Sequence, residues 1–113
     1  MEATANIKFL RSTARKARLV AGAIRGKNVS AAMALLAFSV QNKVGEDFGK
    51  LLKSAVANLQ NKNADANIDV DELRIKEVKV DNGPMLKRFR PRAQGRAYSI
   101  LKRMCHISIT VSN

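Results

Sequence analysis

Residues 81–96 read Asp81-Asn82-Gly83-Pro84-Met85-Leu86-Lys87-Arg88-Phe89-Arg90-Pro91-Arg92-Ala93-Gln94-Gly95-Arg96, and how this stretch is interpreted decides the rest of the chain. After Asp81 there is no further Asp or Glu, whereas Lys87, Arg88, Arg90, Arg92, Arg96, Lys102 and Arg103 all follow. Charges of one sign crowded on a free surface repel each other. The segment also has too few bulky apolar residues to build a core. A polyanion would supply the missing negative charge, so the stretch is expected to be an arm ordered by nucleic acid rather than by its own packing.

Both flanks of the arm have strand periodicity. Downstream, Cys105, Ile107, Ile109 and Val111 alternate with His106, Ser108 and Thr110, the period of a strand with one buried face. Upstream, Ile68 and Val70 alternate with Asp69 and Asp71. Leu73 and Ile75 then keep an odd phase and Val78 and Val80 an even one. The switch near Lys76-Glu77 predicts a bulge or a strand that changes its buried face. The two strands form the legs of a hairpin, with turn or bulge signals at Asp81-Asn82-Gly83-Pro84 and Gln94-Gly95. At about 3.3 Å per residue, roughly nine residues per leg project on the order of 30 Å beyond the sheet. The expected division is a body of residues 1–80 and 98–113 and an arm of about 81–97, within one domain.

The rest of the body alternates strand and helix patterns. Ala5, Ile7 and Phe9 face away from Thr4, Asn6 and Lys8 in a half-buried strand. Ser12 is the expected N-cap of a helix over residues 13–25. Ala14, Ala17, Val20, Ala21 and Ile24 share one face of it, and Arg11, Arg15, Arg18 and Arg25 lie along an adjacent stripe. Leu19 falls off the apolar face. Gly26 sits where a left-handed residue ends a helix. Ser30 is the expected cap of a second helix reaching about residue 39, with Val29 stapled to Ala34. A third helix over about 42–61 carries the stripe Val44, Phe48, Leu51, Leu52, Ala55, Val56 and Leu59. Residues 61–67 read as a loop. The sum is a compact α+β body with a projecting hairpin.

Bulk properties narrow the function. The chain has 113 residues and a formal net charge of +12, which puts nucleic acid first among partners and an anionic membrane surface second. The carboxylates other than Glu2 all fall between Glu46 and Asp81, so both ends of the chain are basic. The single cysteine, Cys105, has no internal partner and fits a reducing compartment. No basic-then-apolar leader is visible at the N-terminus, and no apolar run approaches the ~20 residues of a membrane span. A cytosolic protein is expected.

Chemistry-bearing constellations are poor. His106 is the only histidine, and next to Cys105 on a strand it points to the opposite face. Gly22 and Gly26 lack the strand and the Gly-Lys-Ser/Thr of a phosphate loop. Asp69, Asp71 and Glu72 lack Ca²⁺-loop spacing. No catalytic residue, metal site, cofactor or small-molecule substrate is expected.

The basic residues carry the signal. Arg15 and Lys16 in the first turn oppose the helix dipole, a cost that disappears if a phosphate docks beside Arg11, Ser12, Thr13 and the free backbone N–H groups. The candidate nucleic-acid contacts are Lys8, Arg11, Ser12, Arg15, Lys16, Arg18, Arg25 and Lys27 in the body. In and beside the arm they are Lys87, Arg88, Arg90, Arg92, Arg96, Lys102 and Arg103. The excess of arginine fits bidentate phosphate binding. Only 4% of residues are aromatic, so base stacking is not the main mode. Phe89 fits either stacking on one base or a local contact across the arm. Shape and phosphate recognition of folded RNA fits best.

In order along the chain stand Arg11-Ser12-Thr13-Ala14-Arg15-Lys16-Ala17-Arg18-Leu19-Val20, Ile24-Arg25-Gly26-Lys27, Val29-Ser30, Ser54-Ala55-Val56-Ala57-Asn58, Asp81-Asn82-Gly83-Pro84, Lys87-Arg88, Pro91-Arg92-Ala93, Gly95-Arg96-Ala97, Ile100-Leu101-Lys102-Arg103 and His106-Ile107. This ordered set, over essentially the whole chain, resembles the bacterial large-subunit ribosomal proteins of family twenty-two. Met104 and Cys105 stand where small hydroxyl residues are common in that family. The resemblance implies three helices on a small three-stranded antiparallel sheet, with a long protruding β-hairpin. It implies binding to several domains of large-subunit (23S) rRNA, contact with neighbouring ribosomal proteins and a role in subunit assembly. It also implies that the hairpin helps form the wall of the exit tunnel, where Lys87, Arg88, Phe89, Arg90, Pro91, Arg92 and Ala93 would face the nascent peptide.

Three other functions fit less well. A free-standing regulatory DNA or RNA binder is the first alternative, but residues 31–38 of the second helix carry no base-reading side chains. A membrane-active protein lacks an amphipathic helical period in the arm. An enzyme acting on nucleic acid would have to rest on His106 alone.

Overall fold

The computed structural model describes residues 2–38, 42–63, 69–91 and 93–113. The elements are β1 (Glu2–Leu10), α1 (Ala14–Ile24), α2 (Val29–Ala37), α3 (Asn42–Lys62), a 3₁₀ turn (Val70–Glu72), β2 (Arg74–Pro91), a second 3₁₀ turn (Ala93–Gly95) and β3 (Ala97–Ser112). The sheet is antiparallel in the order β1-β3-β2. The fold is the expected α+β body with three helices, three strands and a long hairpin. Ser39 and Ile68 lie outside the described residues.

The helices form where the apolar stripes predict and bury those stripes against one face of the sheet. Ala14, Ala17, Val20, Ala21 and Ile24 of α1 are buried, as are Val44, Phe48, Leu51, Leu52, Ala55, Val56 and Leu59 of α3. Ala3 and Ala5 of β1, Ile75, Val78 and Val80 of β2, and Cys105, Ile107, Ile109 and Val111 of β3 complete a single core. The phase change in β2 is a register shift between Ile75 and Glu77. It keeps apolar side chains inward on both sides of the bulge. Gly26 ends α1 with φ +78°.

Several local expectations are corrected. Thr13, not Ser12, caps α1, with its hydroxyl accepting from the Lys16 N–H at 3.3 Å. The Ser12 N–H instead closes a turn onto the Leu10 carbonyl at 2.8 Å. Asn28 occupies the cap position of α2, and Ser30 donates its hydroxyl to Asp71 Oδ1 at 2.9 Å. Val70 belongs to a 3₁₀ turn, not a strand, because the Asp69 carboxylate captures the Asp71 N–H at 3.0 Å and bends the chain. Phe9 does not continue the inward phase of Ile7. A register shift between Ile7 and Leu10 leaves Phe9 exposed at φ +59°, with its N–H donating to His106 Nδ1 at 3.0 Å.

β2 and β3 run on past the body as a two-stranded ribbon. Pairing continues from Met85↔Arg103 to Pro91↔Ala97 and closes through Gln94 and Gly95, both at positive φ. Residues 98–103 pair with residues 85–90 along this ribbon. The molecule measures 66 × 25 × 16 Å with a radius of gyration of 17.3 Å. A compact chain of this length would have about 13 Å, and the ribbon accounts for the excess.

Candidate nucleic-acid interface

The cations of the body and those of the arm are placed by different means. In the body, α1 lies beside β2, an edge strand whose outer carbonyls need partners. Arg25 donates to the Val78 carbonyl at 2.8 Å and Arg18 to the Val80 carbonyl at 3.3 Å. The linker after α1 continues the same edge, with Ile75 N–H on the Lys27 carbonyl at 3.0 Å and Val29 N–H on the Leu73 carbonyl at 3.1 Å. Arg11 donates to the Arg103 carbonyl, tying β1 to the root of the arm. Three of the predicted contact arginines thus also fasten the fold. The sequence carries no local sign of this role, which exists only once β2 lies beside α1. Lys8, Arg15, Lys16 and Lys27 are exposed, and Ser12 is half-buried.

In the arm the placement follows from the ladder. Directly opposite residues share a face. The rungs are Met85–Arg103, Leu86–Lys102, Lys87–Leu101, Arg88–Ile100, Phe89–Ser99 and Arg90–Tyr98. Each cation therefore faces a neutral side chain, so that no rung sets like charge against like charge. Lys87, Arg88, Phe89, Arg90, Pro91, Ala93, Arg96, Lys102 and Arg103 are all exposed. Arg92 lies outside the described residues. The chain reverses at Ala93–Gly95. Of the predicted tip residues, Lys87 to Pro91 thus occupy the last rungs and Ala93 the turn.

Carboxylates keep away from these cations. Among the described residues the ion pairs are Lys76–Glu2 and Lys79–Glu77, and none of the predicted contact residues takes part. Lys76 hydrogen-bonds Glu2 and holds its carboxyl below the ordinary carboxylate range. Body and arm cations converge on an open-sided groove of about 850 Å³ between the first two turns of α1 and the root of the arm. Its lining includes Arg15, Arg18 and Arg103 together with Leu19, Met85 and Met104. The groove was not legible beforehand, although the off-face position of Leu19 was its one visible trace.

Cys105 is fully buried, and burial pushes its thiol above the usual value. His106 spends Nδ1 on the Phe9 N–H and packs its ring edge-on to Phe9 at 5.0 Å. Neither arrangement activates a nucleophile.

The family model described as ribosomal protein L22p/L17e matches residues 5–112. The chain belongs to this family. Curated relatives agree over nearly their full length. The large ribosomal subunit protein uL22 of Mesoplasma florum is 50% identical over 113 residues, covering 100% of this chain and 97% of that protein. The uL22 proteins of Clostridium novyi and Bdellovibrio bacteriovorus are 49% and 47% identical over 111 residues, covering 98% of this chain and 96% and 97% of theirs.

Proposed function

We propose that this chain is a structural constituent of the large ribosomal subunit in the bacterial cytoplasm and is not an enzyme. It binds large-subunit rRNA through the exposed face of α1 and both legs of the arm. The observation that carries this reading is the ribbon itself. A 66 Å molecule ends in cations that have no carboxylate partner among the described residues. Folded RNA offers phosphates on every side and can surround such a ribbon. Lys8, Arg15, Lys16 and Lys27 contact phosphates from the body, with Ser12, Arg11, Arg18 and Arg25 at its margin. Lys87, Arg88, Arg90, Arg92, Arg96, Lys102 and Arg103 do so from the arm. In the assembled subunit the arm reaches inward and its end, from Lys87 to Ala93, helps form the exit-tunnel wall past which the nascent peptide moves. Neighbouring ribosomal proteins and several rRNA domains meet the body.

The test is sedimentation of tagged protein from a lysate, followed by crosslink mapping from Phe89. The tag should travel with large-subunit particles and the crosslinks should fall on rRNA. Protein that stays at the top of the gradient in free form would overturn the assignment.

A further inference from the structure

We infer that the groove between α1 and the root of the arm holds one unpaired nucleotide of the bound RNA, its base lodged between Leu19 and Met85. The inference rests on the rRNA reading and adds a base-binding subsite to what is otherwise a phosphate-directed surface.

The groove is built by two features that the fold does not need for its core. Leu19 lies off the buried face of α1 and is 66% exposed. Met85 is 48% exposed and shares a rung with Arg103, so both point to one side of the ribbon. They are brought together by the register shift between Asn82 and Met85. There Gly83 comes so near the other strand that an added Cβ would lie 3.1 Å from the Met104 carbonyl carbon and oxygen. The bulge re-aims the strand and sets Met85 across the groove from Leu19.

The chemistry of the lining selects the occupant. Arg15, Arg18 and Arg103 surround the apolar patch, and among the described residues no Asp or Glu lines the groove. A ligand must therefore present a flat or apolar part to Leu19 and the Met85 thioether while carrying negative charge a few ångströms away. A regular RNA duplex presents phosphates, riboses and base edges but keeps its base faces stacked, and would leave the apolar patch against polar groups. A nucleotide out of the stack offers both parts. Its ring makes favourable contacts with methionine sulfur, its flanking phosphates meet Arg15 and Arg103, and extrusion costs least where the base is already unpaired. The volume suits a ligand of that size.

The test compares the full-length protein with a Leu19→Ala/Met85→Ala double variant on large-subunit rRNA. Both side chains are exposed, and matched thermal melts check that the variant is folded. Loss of one base contact should weaken binding about tenfold. The slope of log affinity against log salt should stay unchanged, because no phosphate contact is removed. Base-modifying reagents should find one unpaired nucleotide protected by the wild-type protein and reactive with the variant, while the backbone footprint stays the same. Affinity within twofold of wild type, or an identical base-reactivity pattern, overturns the inference and leaves the rRNA reading intact. Failure of the wild-type protein to bind the RNA overturns both. As a second variant, Leu19→Asn keeps the side-chain size and removes its apolar surface; it should reproduce part of the loss, and wild-type binding by it counts against the base site.

Discussion

The body and the arm use the same residue type for opposite ends. In the body, arginines turn back on the protein: Arg11, Arg18 and Arg25 donate to the carbonyls of Arg103, Val80 and Val78. In the arm, Arg88 and Arg90 lie on exposed rungs with neutral partners opposite, and the Arg88 bond to the adjacent Lys87 carbonyl, at 2.8 Å, joins no two elements. The body gets its shape from a buried core, whereas the arm is a two-stranded ribbon of a kind that is marginal alone in water. Stability is therefore concentrated in the body, whereas the proposed charge-directed binding draws most on the arm, and mutations should separate the two.

The largest effect is expected in the body. Phe48→Ala empties a fully buried position and should cost about 3–5 kcal/mol, enough to leave much of a marginally stable domain unfolded in a thermal melt. Next comes Arg88→Glu with Arg90→Glu in the arm. The melt should change little, while affinity for large-subunit rRNA falls on the order of a hundredfold and the salt slope flattens by about 0.7–0.9 for each phosphate lost. An unfolded double variant, or one that still binds like wild type, would erase the distinction between the regions. Gly83→Ala probes the joint. The new Cβ would lie 3.1 Å from Met104 backbone atoms, and overpacking of this kind costs about 1–3 kcal/mol. Faster amide exchange should appear first at residues 82–86 and 102–105. The smallest effect is Glu2→Gln, which removes an exposed ion pair with Lys76 and should leave the melting temperature unchanged within error.

The sequence reveals most where period alone decides the outcome. The buried sets of α1 and α3 follow the 3.6-residue stripe, and the bulge beside Lys76 follows from the phase change between Ile75 and Val78. What escapes is anything settled by a distant residue. Phe9 leaves the ladder because His106, at the far end of the chain, accepts its N–H. Ser30 gives up the cap because Asp71 takes its hydroxyl. The Ser12 and Thr13 side chains are equally able to cap by type, and only the turn onto Leu10 separates them. For the candidate interface, residue type and the missing carboxylates identify the cations. Their division into fasteners and free contacts needs the β2 edge. The groove needs the bulge at Gly83.

The ribbon carries cations on both of its faces. Arg103 and Lys87 decorate one side of it, and Lys102, Arg88 and Arg90 the other. An ordinary sheet has a dry back; this one has none. It is suited to being threaded through its partner and gripped from both sides, so that drawing it out again means breaking two contact surfaces at once.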